Sequence, residues 1–393
     1  MSIAGRVAET ILNNNKITVE EHLCSRFRTP RSACDSCAVL CPIKAINVTE
    51  NGVEITGGCT SCGVCVSVCP NGAFRLKEQD DGEIVSEIRA RGRLPGVDLF
   101  RISCEHGETT ADLVVPCLSR LTEVLLMEPL RRGACGVVIM QPVCEECPAS
   151  KAAVHLETVL KRVYHLIEMV GMERDRILRI RIDFQSLKSA PAGKSLSRRS
   201  FFELFRAKTI GIAAASIPDF ARSDTGSEEI FRMAVCSKQE NRKRSLLLDC
   251  LRDGDSWSPD SGLQAPREVR VSSADSIMAN IEVSQGCTAC GVCATLCPTG
   301  ALKLSDNEEM VHLGFKPHLC TNCRVCEETC MPKALHLKEE VLLNRLLEDQ
   351  EIKLFEARKK TCLTCRTDFA GESSDVCPLC TGRRSKQAAI FQF

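Results

Sequence analysis

Apolar positions follow three rhythms along the chain. Ile46-Asn47-Val48 and Val53-Glu54-Ile55 alternate around Glu50-Asn51-Gly52 and predict a β-hairpin; Leu302 to Leu304 with Met310 to Leu313 predict a second. Between residues 98 and 183 the period changes. Asp98 to Ser103, Leu113 to Val115, Gly136 to Gln141 and Ile177 to Ile182 read as short strands. Ser119 to Leu126 reads as a helix start capped by Ser119, and Ala152 to Val170 has helical spacing. Strands alternating with helices predict a small parallel α/β sheet. Glu339 to Lys359, with Val341, Leu342, Leu346, Leu347, Ile352 and Phe355, predicts a charged amphipathic helix. Further helices are expected over Met1 to Asn15 and Ser227 to Cys250, and Ser186 to Ser200 reads as a linker.

Composition changes this picture at one residue type. The 393 residues include 27 cysteines, and most of them stand at metal-ligand spacings, which favours a reducing cytoplasm over a disulfide framework. Lys plus Arg (51) equal Asp plus Glu (51), so no basic field points to nucleic acid. No run of eighteen apolar residues predicts a membrane span.

Cys287-x2-Cys290-x2-Cys293-x3-Cys297-Pro298 is followed by Cys320-x2-Cys323-x2-Cys326-x3-Cys330. A thiolate at every third position can wrap one side of an iron–sulfur cubane, while the fourth cysteine of each run reaches the other cluster. The expected quartets are Cys287, Cys290, Cys293 and Cys330, and Cys320, Cys323, Cys326 and Cys297. Zinc knuckles or disulfides are the alternative, but zinc favours paired Cys-x2-Cys rather than threes. The pattern recurs near the start as Cys59-x2-Cys62-x2-Cys65-x3-Cys69-Pro70. The run before it, Cys34-x2-Cys37-x3-Cys41-Pro42, has Arg31 where its first thiolate should stand, and Cys24 is the candidate replacement. Cys24, Cys34, Cys37 and Cys69 then form one quartet, and Cys59, Cys62, Cys65 and Cys41 the other. Alternatively, Cys24 is a small buried hydrophobe beside a three-iron cluster. Each loaded cubane adds roughly two negative charges, met in part by Arg26, Arg28, Arg31, Arg324 and Lys333. Both halves resemble the bacterial two-cluster ferredoxin fold over some 55 residues each.

In a parallel sheet the binding crevice lies outside the carboxyl ends of the strands. Cys104 ends the first predicted strand, Cys117 follows the second, and Cys144 and Cys147 follow the third, so four thiols should meet at one edge. A 2Fe–2S centre fits them better than zinc; scattered buried cysteines are the alternative. Cys135, at the opposite end, reads as a core residue. Val115-Pro116-Cys117, Gly133-Ala134-Cys135-Gly136-Val137 and Cys144-x2-Cys147 before a long helix are similar to the iron–sulfur delta subunit of methyl-viologen-reducing hydrogenases. That resemblance implies an adaptor carrying a 2Fe–2S cluster between a hydrogenase or dehydrogenase and a heterodisulfide-reductase-like flavoprotein. The chain departs from the pattern at Glu-His-Gly after Cys104, and Glu145-Glu146 would set negative charge beside an anionic cluster.

Ser197-Arg198-Arg199-Ser200-Phe201-Phe202 resembles a twin-arginine export signal, but its internal position favours an amphipathic docking helix. Cys236 and Cys250 have no ligand spacing and read as structural, and Trp257 reads as a loop anchor. The tail, Cys362-x2-Cys365-x11-Cys377-Pro378-Leu379-Cys380, reads as a zinc-ribbon-like tetrahedral site, with rubredoxin-type iron as the rival.

The expected organisation is a multidomain α+β and α/β chain: an N-terminal helix (1–20), a ferredoxin-like domain with two clusters (21–80), a hydrogenase delta-subunit-like α/β domain (98–184), a linker and helical segment (185–280), a second ferredoxin-like domain with two clusters (281–337), a helix (338–360) and the zinc-ribbon-like tail (361–393). The expected cofactors are four 4Fe–4S clusters, a candidate 2Fe–2S cluster and zinc. No dinucleotide fingerprint, phosphate loop or HExxH pair is present, and no residue merits a catalytic label; His22, His106 and His318 read as hydrogen-bonding or surface groups. The expected function is therefore electron transfer as a cytoplasmic adaptor subunit. A reductase acting on a disulfide or sulfur species at Cys104, Cys117, Cys144 and Cys147, and a scaffold that uses clusters structurally, remain as rivals.

Overall fold

The computed structural model describes residues 16–49, 52–92, 99–107, 110–145, 147–182, 235–236, 238, 240–252, 267–307, 309–366, 368–370, 374–377 and 380–381. The expected helix over 1–15, the linker, the Arg198-Arg199 pair and Trp257 lie outside them. The chain is a mixed α/β molecule in which two groups of short strands and helices, each carrying a pair of cysteine runs, flank a parallel sheet.

The first motif pair is built from very short elements: β1 (Ile17–Val19), α1 (Ser25–Arg28), α2 (Ser36–Val39), β2 (Ile46–Thr49), β3 (Gly52–Ile55), α3 (Val64–Val68) and β4 (Phe74–Leu76). β1 pairs antiparallel with β4, Ile17 opposite Leu76; β2 and β3 form the hairpin, Ile46 opposite Ile55. Residues 17–19, within the helix expected over 1–20, are thus strand. Ribbons of three or four residues are too small to stabilise themselves. Here Ile17, Leu23, Ile46, Phe74 and Leu76 share one core with Cys24, Cys37, Cys41, Cys65 and Cys69. The thiols take core positions that side chains would otherwise fill.

α4 (Asp81–Ala90) opens on a capping box, Asp80 accepting from the Glu83 N–H at 2.8 Å while Glu83 reaches back to the Asp80 N–H. It leads into β5 (Phe100–Cys104), β6 (Leu113–Val115), α5 (Glu123–Arg131), β7 (Val137–Gln141), α6 (Val154–Met169) and β8 (Ile177–Arg181). The strands lie in the order β6-β5-β7-β8 and every pair is parallel, as crossovers through helices require. α5 starts at Glu123 with Thr122 at its N-cap; Ser119 falls in a separate 3-10 turn over Leu118–Arg120. Cys135 is exposed, not in the core, because it sits in the turn before β7.

Charged groups inside this unit are paired. Arg120, fully buried, donates to Asp81 at 2.6 Å and to the Gln79 carbonyl at 3.0 Å, and the Thr122 hydroxyl donates to the other Asp81 oxygen at 2.7 Å. Glu128, also fully buried, takes a two-pronged contact from Arg89 at 3.0 and 3.2 Å. Arg120 also touches the cluster loop. A Cβ on Gly63, whose φ is +78°, would stand 2.8 Å from Arg120 Cβ.

α7 (Arg242–Arg252) lies where the longer helix from Ser227 was expected, and buries Leu247, Leu248, Cys250 and Leu251 in the core of the parallel-sheet unit. Cys236 is exposed, against its expected structural role. The second motif pair follows: β9 (Arg270–Ser272), β10 (Ile281–Val283), α8 (Val292–Leu296), β11 (Leu302–Asp306), β12 (Met310–Phe315), α9 (Val325–Glu328), β13 (Leu335–Leu337), β14 (Glu340–Leu342), β15 (Ile352–Thr361) and β16 (Asp368–Ala370). β10 pairs with β13 as β1 does with β4.

The helix expected over 338–360 does not form. β14 pairs with β9, a 3-10 turn spans Leu343–Leu346, and β15 adds to β12 with Phe315 opposite Ile352. Apolar residues three to five apart mimic a helical period, but β12 has an open edge, and pairing with it decides the outcome. Val341, Leu343 and Leu346 meanwhile plug the core of the parallel-sheet unit, so the segment ties units together rather than separating them. Among the described residues no helix is long and apolar enough to cross a membrane.

Truncating one member of a buried ion pair leaves its partner uncompensated. Asp81→Ala is expected to cost about 3–5 kcal/mol, read as a lower urea midpoint for loss of helical circular dichroism; an unchanged midpoint would contradict the role given to Arg120.

Candidate iron–sulfur centres

Many of the ferredoxin-run thiols are buried or half-buried close to other cysteines. Burial pushes the Cys37 thiol up to about 12, with the Cys69, Cys34 and Cys24 thiols raising it further. Cys34 is raised by burial and by Cys24. Cys24, Cys34 and Cys69 are thus the thiols that act on Cys37. Cys62 is pushed up to about 11 by burial, with Cys41 and Cys59 among its neighbours, and Cys41, Cys59, Cys62 and Cys65 line a cavity of about 20 Å³. In the other half, burial pushes Cys293 up to about 12, helped by Cys287, Cys290 and Cys330. Cys323 is likewise pushed up to about 12, helped by Cys297 and Cys320, and these three with Cys326 line a second cavity of about 20 Å³.

Local backbone explains the convergence. Ser61 (φ +56°), Ala289 (+49°) and Asn322 (+57°) precede the second cysteine of their runs, and Gly63 (+78°), Gly291 (+74°) and Arg324 (+62°) follow it. Two left-handed residues around one cysteine curl the loop so that sulfurs three apart turn inward. A second repeat follows each run: Lys44 (+53°), Gly72 (+66°), Gly300 (+70°) and Lys333 (+53°) all stand three residues after the last cysteine. This turn brings the next N–H back onto sulfur, from Ala45 to Cys41 at 3.2 Å, Ala73 to Cys69 at 3.4 Å and Ala334 to Cys330 at 3.3 Å. Such bonds stabilise a thiolate and tune a cluster. The run with Arg31 lacks the curl: Asp35 has φ −140°. Cys24 enters instead from its own turn, between the 3-10 helix Glu21–Leu23 and α1, and is 9% exposed.

At the carboxyl edge of the parallel sheet, burial pushes Cys104 up to about 11, with Cys117, Cys144 and Cys147 adding to it. These four line a cavity of about 530 Å³ together with Cys62 and Ile43 of the first motif pair. Gln141 donates to Cys144 at 3.3 Å and the Ala149 N–H to Cys147 at 3.4 Å. Glu145 is paired with Arg181 at 3.6 Å, which offsets its charge; Glu146 lies outside the described residues.

Cysteines of neighbouring runs act on one another. Cys326 feels Cys293 of the neighbouring set. Across the two motif pairs, the Thr321 hydroxyl, beside Cys320, donates to Asn71 Oδ1 at 2.7 Å, and Asn71 Nδ2 donates to Ser25, beside Cys24, at 2.9 Å. Cys65 feels Cys37 and Cys69, and Cys62 feels Cys117 of the sheet edge. Buried Arg28 sits at the junction between motif pairs, donating to the His22 carbonyl at 2.6 Å and the Val235 carbonyl at 2.9 Å.

The tail differs in scale. The sulfurs of Cys362, Cys365, Cys377 and Cys380 all lie within 4.8 Å of one another. Cys365 and Cys377 are 3.7 Å apart. A tetrahedral ion with metal–sulfur bonds of about 2.3 Å needs sulfurs about 3.8 Å apart. The Cys377 N–H, 3.2 Å from Cys362 Sγ, holds that thiol below the usual range.

Residues 95–192 match the family described as methyl-viologen-reducing hydrogenase, delta subunit, and residues 54–75 and 284–303 match the 4Fe-4S binding domain. The chain carries a hydrogenase delta-subunit domain between 4Fe–4S domains. No curated protein matches it. The 4Fe–4S matches contain the runs from Cys59 to Cys69 and from Cys287 to Cys297; the delta-subunit match contains the sheet-edge cysteines. Together they support an iron–sulfur electron-transfer role in a hydrogenase-like redox system.

One consequence concerns Cys24. Cys24→Ala is expected to give a three-iron signal in the EPR spectrum of the oxidised protein where the parent chain gives none; identical spectra would remove Cys24 from its quartet.

Proposed function

We propose that this chain is the electron-transfer subunit of an anaerobic redox complex, holding four 4Fe–4S clusters and a 2Fe–2S cluster in single file. Such clusters take up and return one electron at a time. The reading is supported by the contacts that link neighbouring cysteine runs, and assigns the sets Cys287/290/293/330, Cys297/320/323/326, Cys24/34/37/69, Cys41/59/62/65 and Cys104/117/144/147 in that order. The chain's own residues keep that file tight. Asn71 and Thr321 bridge the two motif pairs by hydrogen bonds, and Arg28 closes the gap beside them. The two ends of the proposed file reach the surface at exposed Cys290 and at the open cavity of the sheet edge. The partners proposed for these ends are a hydrogenase or dehydrogenase and a heterodisulfide-reductase-like flavoprotein in the cytoplasm. The tail is assigned a single structural zinc on its sulfur spacing.

The size of the sheet-edge cavity favours one second reading, a reductase acting there on a disulfide or sulfur compound. Pure protein supplied with reduced viologen and small disulfides separates the two: the relay gives no turnover without a partner, the reductase does.

Metal analysis of protein purified without oxygen is expected to give roughly eighteen irons, from four cubanes and one two-iron centre, with about one zinc. Cys117→Ser is expected to lose about two of those irons and delivery to the flavoprotein, while the cubane signals stay. A colourless protein holding zinc throughout would overturn the proposal.

A further inference from the structure

The stretch that enters α7 touches both cluster-binding halves at the same place. Lys238 Nζ donates to the carbonyls of Ala294 at 3.0 Å, Thr295 at 2.6 Å and Cys297 at 2.9 Å. Five residues later, Lys243 Nζ donates to the carbonyl of Ser67 and, at 3.3 Å, to that of Cys69. Ser67 and Thr295 each stand two residues after the third cysteine of their run, and Cys69 and Cys297 are the fourth cysteines. The repeat therefore receives the same cation at the same two carbonyls in each half.

The packing repeats as well. A Cβ on Gly72 would lie 3.3 Å from Lys243 Cβ, and one on Gly300 would lie 3.4 Å from Lys238 Cγ. Both glycines stand three residues after the fourth cysteine, with φ of +66° and +70°. The turn that follows each run thus supplies both the left-handed backbone and the bare surface on which a lysine stem lies. The next residue after Lys243 adds a third contact, Arg244 Nη2 donating to the Cys320 carbonyl at 2.9 Å.

Cys69 and Cys297 belong to the two sets that face each other across the junction of the halves. Among the described residues, Cys69 and Cys297 are the ferredoxin-run cysteines whose own carbonyls accept from a lysine; the remaining bonds of these lysines go to Ser67, Ala294 and Thr295, between the third and fourth cysteines of each run. A positive charge beside a cluster stabilises its reduced, more negative form and so raises its potential.

We propose that Lys238 and Lys243 are potential-setting residues that hold the two facing clusters at a higher potential than their outer neighbours. The junction between the halves then stores electrons, and each outer cluster exchanges them with one end of the file. The arrangement belongs to the segment between the cluster-binding halves, so one stretch of chain adjusts both facing sites together. This inference rests on the cluster assignments of the preceding section.

The test is an EPR-monitored redox titration of the full chain, poised by dithionite through mediators that deliver one electron per cluster. Lys243→Met is expected to lower the potential of one titrating component, and Lys238→Met that of a different one. At a poise that half-reduces the affected cluster in the parent protein, the ratio of reduced to oxidised form should fall on the order of tenfold. The double variant should move both components, Lys→Arg variants should restore them, and the remaining components should stay fixed. Lys238 lies on the surface, so its variant keeps the test valid should Lys243→Met lose iron. Iron-replete variants with no shift, or with all components shifting alike, would overturn the proposal. A chain that shows these shifts yet delivers no electrons to a partner would sink the relay reading and leave this one standing.

Discussion

Buried sulfur is the constraint on which the molecule is built. In the first cluster-binding half Cys24, Cys37, Cys41, Cys65 and Cys69 occupy core positions among the apolar side chains, and burial pushes the Cys37 thiol, like Cys293 in the other half, up to about 12. Four such groups pressed together cannot all ionise without a compensating positive centre. A metal core bound among them would supply it. Folding and cluster loading are therefore expected to be one process in these halves, as they are in small metal-dependent domains.

The parallel-sheet unit has a different basis. Its core is a large aliphatic one, shared by α4, α5, α6 and α7 and extended by Val341, Leu343 and Leu346 from the far end of the chain. Its charged residues are paired internally, as Arg120 with Asp81 and Arg89 with Glu128. This unit is the scaffold on which both cluster-binding halves are held. Gly63 packs on Arg120 on one side, and Arg244 reaches Cys320 on the other. A rigid centre with metal-dependent lobes keeps neighbouring thiol sets at fixed separations, which one-electron exchange demands.

Much of this could be read from the residues. Spacings of three in cysteine runs are a local signal, and the loops that answer to them are local too. The rule that crevices lie beyond the carboxyl ends of parallel strands carried Cys104, Cys117, Cys144 and Cys147 to one edge. What escaped the sequence was non-local. Residues 352–361 look helical in isolation and become a strand because β12, some forty residues earlier, offers an edge. Lys238, Lys243 and Arg244 sit in a segment that reads as a helix with no cluster role, yet their partners Cys69 and Cys320 lie up to 174 residues away. A basic cluster, Arg242-Lys243-Arg244, just outside an anionic-cluster protein's ligand runs was the available clue. The candidacy of Cys24 as a replacement ligand came only from the gap at Arg31.

Electron transfer through the chain depends on neighbouring clusters lying side by side in one file. Pulsed EPR of the fully reduced protein measures it, because adjacent paramagnetic clusters couple magnetically. The account predicts spectra broadened by coupling between the two facing clusters, with the coupling abolished when Cys323→Ser removes one of them. Sharp signals that behave as isolated clusters, before and after that change, would contradict it.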